Sequence, residues 1–72
     1  MVKQVTIKDL SLVKQLAFAA RCCKNGIDIQ DQAGAIADAK SILGLMRLDY
    51  SRPVNVVCEN AQDLERVIKA IS

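Results

Sequence analysis

Apolar and polar residues alternate at the start of the chain and then change to a helical spacing. Residues 2–7 alternate and are rich in β-branched side chains, which predicts a first strand. Apolar residues then recur with the period of a helix over residues 12–23, and Asp9 or Ser11 can accept the hydrogen bond of an N-cap. We expect this helix to end near Asn25-Gly26, where a left-handed cap forms easily.

The middle of the chain returns to alternation and then predicts a short helix. Residues 27–29 and 35–38 have the period of strands, and turn-forming residues lie between them at 32–34. This pattern predicts a hairpin. Ser41 is the predicted N-cap of a short helix that runs to Leu48.

The last third of the chain predicts one more strand and one more helix. Pro53 ends any helical continuation of the connector, and residues 54–59 alternate as a fourth strand. Asn60 is the predicted cap of a final helix. The apolar stripe of that helix consists of Leu64, Val67, Ile68 and Ile71.

The predicted order of elements is βαββαβα. Each amphipathic helix must bury an apolar face, and only one sheet is present to receive it. We therefore expect an α+β fold, an open-faced β-sandwich in which a four-stranded, mostly antiparallel sheet is covered on one face by three helices. A chain of 72 residues, 51% of them hydrophobic, can fill only one core, so residues 1–72 are predicted to form a single domain.

The composition argues against several classes of function. Ten basic and eight acidic residues are mixed along the chain, which leaves no basic stripe for a phosphate backbone. One Phe and one Tyr offer little for base stacking, so we expect no nucleic-acid partner. The chain has no histidine, so no nucleophile can be paired with an imidazole base. We expect neither enzymatic activity nor a cofactor.

The three cysteines indicate a reducing compartment. Their number is odd, Cys22 and Cys23 are adjacent, and no secretory segment is visible, which favours the cytoplasm. No apolar run is long enough to span a membrane, so no membrane association is expected. The spaced cysteine pairs of a zinc site are missing. Cys23 is predicted to be a small core residue, and so is Cys58 if its face of the fourth strand is the inner one.

The segment "AKSILGLMRL", residues 39–48, within this order of elements resembles HPr, the phosphocarrier family of the bacterial sugar phosphotransferase system. In that family the carrier histidine caps the first helix, followed closely by an arginine and a proline. The corresponding stretch here, "IKDLSLVKQ", contains none of the three. The resemblance therefore implies an HPr-like fold from which histidine phosphocarrier activity has been lost.

Asp9 and Ser11 lie near the position of the family's histidine. Both residue types are common helix caps, and we interpret them as such. The alternative is a phosphocarrier that uses a non-histidine acceptor, for which Asp9 is the candidate.

The resemblance also implies a regulatory role for Ser41. This residue matches the serine that a dedicated ATP-dependent kinase phosphorylates in HPr proteins of low-GC Gram-positive bacteria. A phosphate at a helix N-cap faces unpaired backbone N–H groups, so its charge is tolerated there. The alternative is that Ser41 acts only as a cap.

The short helix after Ser41 is apolar on almost every side, and one sheet contact cannot bury all of it. HPr proteins bind their enzymes and regulators beside this helix and beside the start of the first helix. The resemblance thus implies protein partners, such as phosphotransferase-system enzymes, a serine kinase or a transcription regulator. The predicted partner-binding residues are Ile42, Leu43, Met46 and Arg47. Alternatively, core and hairpin contacts bury this segment.

A third hypothesis concerns the opposite face of the first helix. Phe18 and Cys22 are four residues apart and point away from Leu16 on a helical wheel. They could form the contact of a diverged interaction or dimerisation domain, so we expect a monomer or a weak dimer.

Overall fold

A computed structural model describes residues 1–71 and has an α+β architecture. The predicted order βαββαβα is confirmed. The elements are β1 (Val2–Val5), α1 (Leu10–Arg21), β2 (Ile27–Gln30), β3 (Ile36–Asp38), α2 (Ile42–Leu45), β4 (Val54–Cys58) and α3 (Ala61–Ala70).

The four strands form one sheet in the order β1-β4-β2-β3, and every pairing is antiparallel. β4 lies in the interior of the sheet, where Val56 pairs with Lys3 on one side and Ile29 on the other. Alternate residues of β4 are fully buried and the residues between them are half-buried. Alternation on a strand means that one face of the sheet packs against the helices and the other is open.

The core lies between the sheet and the helices. Most of the core residues on the helical side of the core come from α1, because the apolar residues of this helix recur at three- and four-residue spacing. Leu45 of α2 and Val67 of α3 are fully buried. The buried residues of α1 are Val13, Leu16, Ala17, Ala19 and Ala20.

The C-terminus of α1 differs from the expectation. Of the two predicted caps, Asp9 caps the start of the helix, whereas Ser11 lies inside its first turn and donates to Asp9, so its prediction as a cap is wrong. The helix ends at Arg21, and the predicted end near Asn25-Gly26 is also wrong. Cys22, in a right-handed conformation, donates its N–H to the Ala19 carbonyl at 3.1 Å. The Arg66 Nη1 of α3 donates to the Cys22 carbonyl at 3.1 Å, which satisfies the helix end through a long-range contact. Such a contact has no local sequence pattern.

The second helix is shorter than predicted. Ser41 is the N-cap, but α2 ends at Leu45 and not at Leu48. Arg47 and Leu48 donate their N–H groups to carbonyls three residues back, at 3.2 Å each, so the chain tightens into turns. The Tyr50 hydroxyl donates to the Leu45 carbonyl and completes this end.

The third helix follows the prediction. The Asn60 Oδ1 accepts the Asp63 N–H at 3.0 Å, which makes Asn60 the cap of α3. Among residues 1–71, none of the helices has the length and apolar character needed to cross a membrane.

Candidate functional site

The apolar segment that follows Ser41 divides into a buried side and an exposed side. Leu45 and Leu48 are buried in the core. Leu43 and Met46 are 79% and 52% exposed. Ile42 is half-buried and packs against the core, so it offers less surface than the other predicted contact residues. One sheet therefore buries only part of this segment.

Met46 borders a depression between the start of α1 and the chain that follows α2. We call this depression, which has a volume of about 370 Å³, the α1–α2 groove. Leu10, on its α1 side, is 47% exposed. The groove is lined by Ile7, Lys8, Asp9, Leu10, Val13, Met46 and Tyr50.

Tyr50 supports the groove from the α2 side. Its hydroxyl donates to the Leu45 carbonyl. Burial, together with the negative charge of Asp31, raises the pKa of Tyr50 to about 12. The phenol therefore keeps its proton at neutral pH and remains a hydrogen-bond donor.

Asp31 fixes the loop that carries Tyr50. Its Oδ1 accepts the Ala35 N–H at 2.9 Å and its Oδ2 accepts the Asp49 N–H at 3.0 Å. The N–H of Asp49 is the main reason that the pKa of Asp31 lies below its ordinary value. This buried carboxylate joins the hairpin turn to the α2–β4 loop.

Asp9, at the rim of the groove, is held as a helix cap. Its Oδ1 accepts from the Ser11 hydroxyl at 2.7 Å and from the Leu12 N–H at 3.1 Å. These hydrogen bonds, with that of Ser11 the strongest, lower the pKa of Asp9. The structure thus joins Asp9 and Ser11 by hydrogen bonds at the start of α1.

Ser41 is exposed to solvent. Its Oγ accepts the Gly44 N–H at 3.2 Å, and its own N–H donates to the Asp38 carbonyl at 2.9 Å. A Cβ added to Gly44 would lie 3.3 Å from the Ser41 Oγ and 3.4 Å from the Ala37 Cβ. The close approach of these groups explains why a glycine suits this position.

Three of the four predicted contact residues are exposed, and one of the four lines the groove. Leu43, Met46 and Arg47 are exposed, and Met46 lines the groove. Leu10 and Tyr50, which also border the groove, were not predicted. Leu10 could have been found from the sequence, because it lies between the two predicted caps, Asp9 and Ser11, just before the buried stripe of α1 begins.

Phe18 and Cys22 do not line the α1–α2 groove. Phe18 is 71% exposed and borders a separate depression with Lys14 and Ala70. Cys22 is also exposed, whereas Cys23 and Cys58 are buried as predicted. No cluster of His, Cys, Asp or Glu that could hold a metal ion occurs in the part of the chain that the structure describes.

The family resemblance rests on residues 39–48 and on the order of elements. No family model, curated protein or solved structure matches the chain.

Proposed function

We propose that this chain is an HPr-like regulatory or adaptor protein that binds protein partners through the α1–α2 groove and the neighbouring Leu43. The observation that carries the proposal is the exposure of Leu10 and Met46 at one groove, with the exposed Leu43 three residues before Met46. Exposed apolar side chains grouped at a concave surface are typical of protein-binding sites.

Two further features support the HPr-like assignment. The observed order βαββαβα and the open face of the sheet agree with the fold that the resemblance implies. The segment 39–48, which carries the resemblance, forms α2 and the turn after it. In HPr proteins the docking surface lies beside this helix and beside the start of the first helix.

The chemistry of the surface favours binding without catalysis. The chain has no histidine, and the carboxylate of Asp9 is already hydrogen-bonded to Ser11 and Leu12. Lys8 and Arg47 are exposed near the apolar residues. The partner that fits this surface has an apolar centre with acidic residues at its rim.

We further propose that phosphorylation of Ser41 regulates this binding. The hydroxyl is exposed, and Leu43 and Met46 follow it within five residues. A phosphoryl oxygen can accept the Gly44 N–H in place of the hydroxyl oxygen. The added charge then lies beside an apolar contact surface, where it would oppose docking of a partner with an acidic rim.

The docking proposal is tested by NMR titration of the isotopically labelled protein with the general enzyme of the phosphotransferase system. We expect shift changes at Leu10, Leu43 and Met46, and loss of binding in Met46→Glu. Phe18→Glu is the matched control, because it places the same charge on an exposed apolar position outside the groove. Shift changes centred on Phe18, or no binding by the enzyme, would contradict the proposal.

The regulatory proposal is tested with ATP and the HPr serine kinase. We expect one phosphate on the wild type, located at Ser41 by peptide mapping, and none on Ser41→Ala. The phosphorylated protein should then bind the docking partner more weakly. An unmodified wild type would end the regulatory proposal and leave the docking proposal standing.

A further inference from the structure

The loop between α1 and β2 contains the dipeptide Asn25-Gly26. Both residues are exposed. Nothing lies within 4 Å of the place where a Cβ of Gly26 would stand. Gly26 therefore has no side chain to hinder approach of the Asn25 side chain to its backbone nitrogen.

Asn25 joins the end of α1 to the start of α3 through Asp63. Its Nδ2 donates to the Asp63 Oδ2 at 3.0 Å, and its backbone N–H donates to the same oxygen at 3.3 Å. Asp63 is only 8% exposed. The junction is completed by Arg66, which donates to the Cys22 carbonyl. A neutral amide at position 25 is thus the main hydrogen-bond donor to a buried carboxylate.

We propose that Asn25 is a site of spontaneous deamidation, and that the modification loosens the α1–α3 junction by placing a second carboxylate against Asp63. The Gly26 nitrogen attacks the side-chain carbonyl carbon of Asn25, forms a five-membered succinimide and loses its proton. The amide nitrogen leaves as ammonia. Water then opens the ring at either carbonyl and yields aspartate or isoaspartate. The only co-reactant is water.

The product changes the electrostatics of the junction. The donor of the 3.0 Å hydrogen bond becomes an acceptor, so two carboxylates face each other where one charge was satisfied before. The other charged or titratable groups near Asp63 are Arg66 on α3, Lys24 in the loop and the buried Cys23 thiol. Arg66 already donates a hydrogen bond to the Cys22 carbonyl.

Peptide mapping by mass spectrometry of the protein aged at neutral pH tests the chemical step. We expect the acid products at Asn25 to accumulate ahead of any at Asn55 and Asn60, which are followed by Val and Ala. Gly26→Ala should slow the reaction by roughly tenfold or more, since ring closure depends on close approach of the reacting atoms. The variant should fold, because the space around Gly26 is open and its φ is not positive. Equal modification at Asn25 and Asn60, or an unchanged rate in Gly26→Ala, would overturn the assignment.

Asn25→Asp tests the structural consequence, with Asn25→Ser as the control that removes the amide without adding charge. We expect a lower melting temperature for Asn25→Asp than for Asn25→Ser at pH 7. The pair of carboxylates raises the folded pKa of one member above the ordinary carboxyl value of about 4, so this difference should shrink as the pH falls towards 4 and should be lost below it. Equal stability of the two variants from pH 3 to pH 8 would show that deamidation leaves the junction intact.

Discussion

At the scale of single residues, Asp31 is a buried acid whose role is structural. It is 6% exposed and accepts the N–H groups of Ala35 and Asp49, one on each oxygen. In Asp31→Asn one of these N–H groups faces an amide donor. We expect a loss of about 1–3 kcal/mol in the free energy of unfolding, measured by urea denaturation at pH 7. Glu65→Gln, at an exposed position, is the control and should change stability little.

The difference in stability between the wild type and Asp31→Asn should also depend on pH. The hydrogen bonds, first that of Asp49, hold the pKa of Asp31 below its ordinary value. A depressed folded pKa contributes stability above the unfolded pKa, about 3.9, and loses it as the pH falls through the folded pKa. The advantage of the wild type over Asp31→Asn should therefore be full at pH 7 and decline below about pH 4. A constant difference down to pH 2 would contradict this account.

Residue roles could be predicted from the sequence where their partners are local. Ser41 and Asn60 are caps that accept an N–H three residues ahead, and both were predicted. Asp31 and Asp63 were not predicted to be buried hydrogen-bond acceptors. Their partners include Asp49 and Asn25, which are 18 and 38 residues away and become neighbours only in the folded chain.

At the scale of elements, we expect the Ser41 cap of α2 to contribute to stability. The variant that tests this, Ser41→Ala, is also the control in the kinase experiment. Ser41→Ala removes the acceptor of the Gly44 N–H and should lower the free energy of unfolding by about 0.5–2 kcal/mol. Ser11→Ala is the comparison: Asp9 still accepts the Leu12 N–H in that variant, so its loss should be smaller. Chemical denaturation measures both. Equal losses would show that the Ser41 cap contributes nothing specific.

The two sides of the segment after Ser41 should respond differently to mutation. Leu45→Ala leaves a cavity at a fully buried site and should lower the free energy of unfolding by about 2–5 kcal/mol. Leu43→Ala truncates a side chain that is 79% exposed and should change it by less than about 0.5 kcal/mol. Denaturant titration of the two variants checks this. A large loss in Leu43→Ala would mean that Leu43 serves the core and would remove it from the docking surface.

The boundaries of α1 and α2 show where element prediction fails. Their starts follow from capping residues, whereas the carbonyls at their ends accept hydrogen bonds from side chains that lie outside the helix in question, Arg66 for α1 and Tyr50 for α2. The periodicity of a helix predicts the face that is buried. It does not predict the residue at which tertiary contacts end the helix.

At the scale of the whole molecule, one small core joins every element. The order of elements was predicted from local patterns, but the strand order β1-β4-β2-β3 was not. It depends on pairings such as Lys3 with Val56, which are distant in sequence. The place of Leu10 in the α1–α2 groove was not predicted for the same reason, since Leu10 and Met46 are distant in sequence and border one groove only in the folded chain.

The distribution of the cysteines makes the cooperativity of this core measurable. Cys22 is exposed, whereas Cys23, just after the end of α1, and Cys58 of β4 are 5% and 2% exposed. Burial, followed by the charge of Asp63, raises the pKa of Cys23 and further reduces its reactivity. A thiol reagent should therefore label Cys22 rapidly and the other two slowly, with each labelled position identified by mass spectrometry.

Slow labelling of Cys23 and Cys58 reports opening of the core. If the domain unfolds as one unit and recloses faster than the reagent reacts, both rates follow the population of the unfolded chain. Leu45→Ala should then accelerate both by the same factor, about tenfold for each 1.4 kcal/mol of stability lost. The Cys22 rate should not change. Acceleration of Cys23 alone would instead show that the end of α1 opens separately from the sheet.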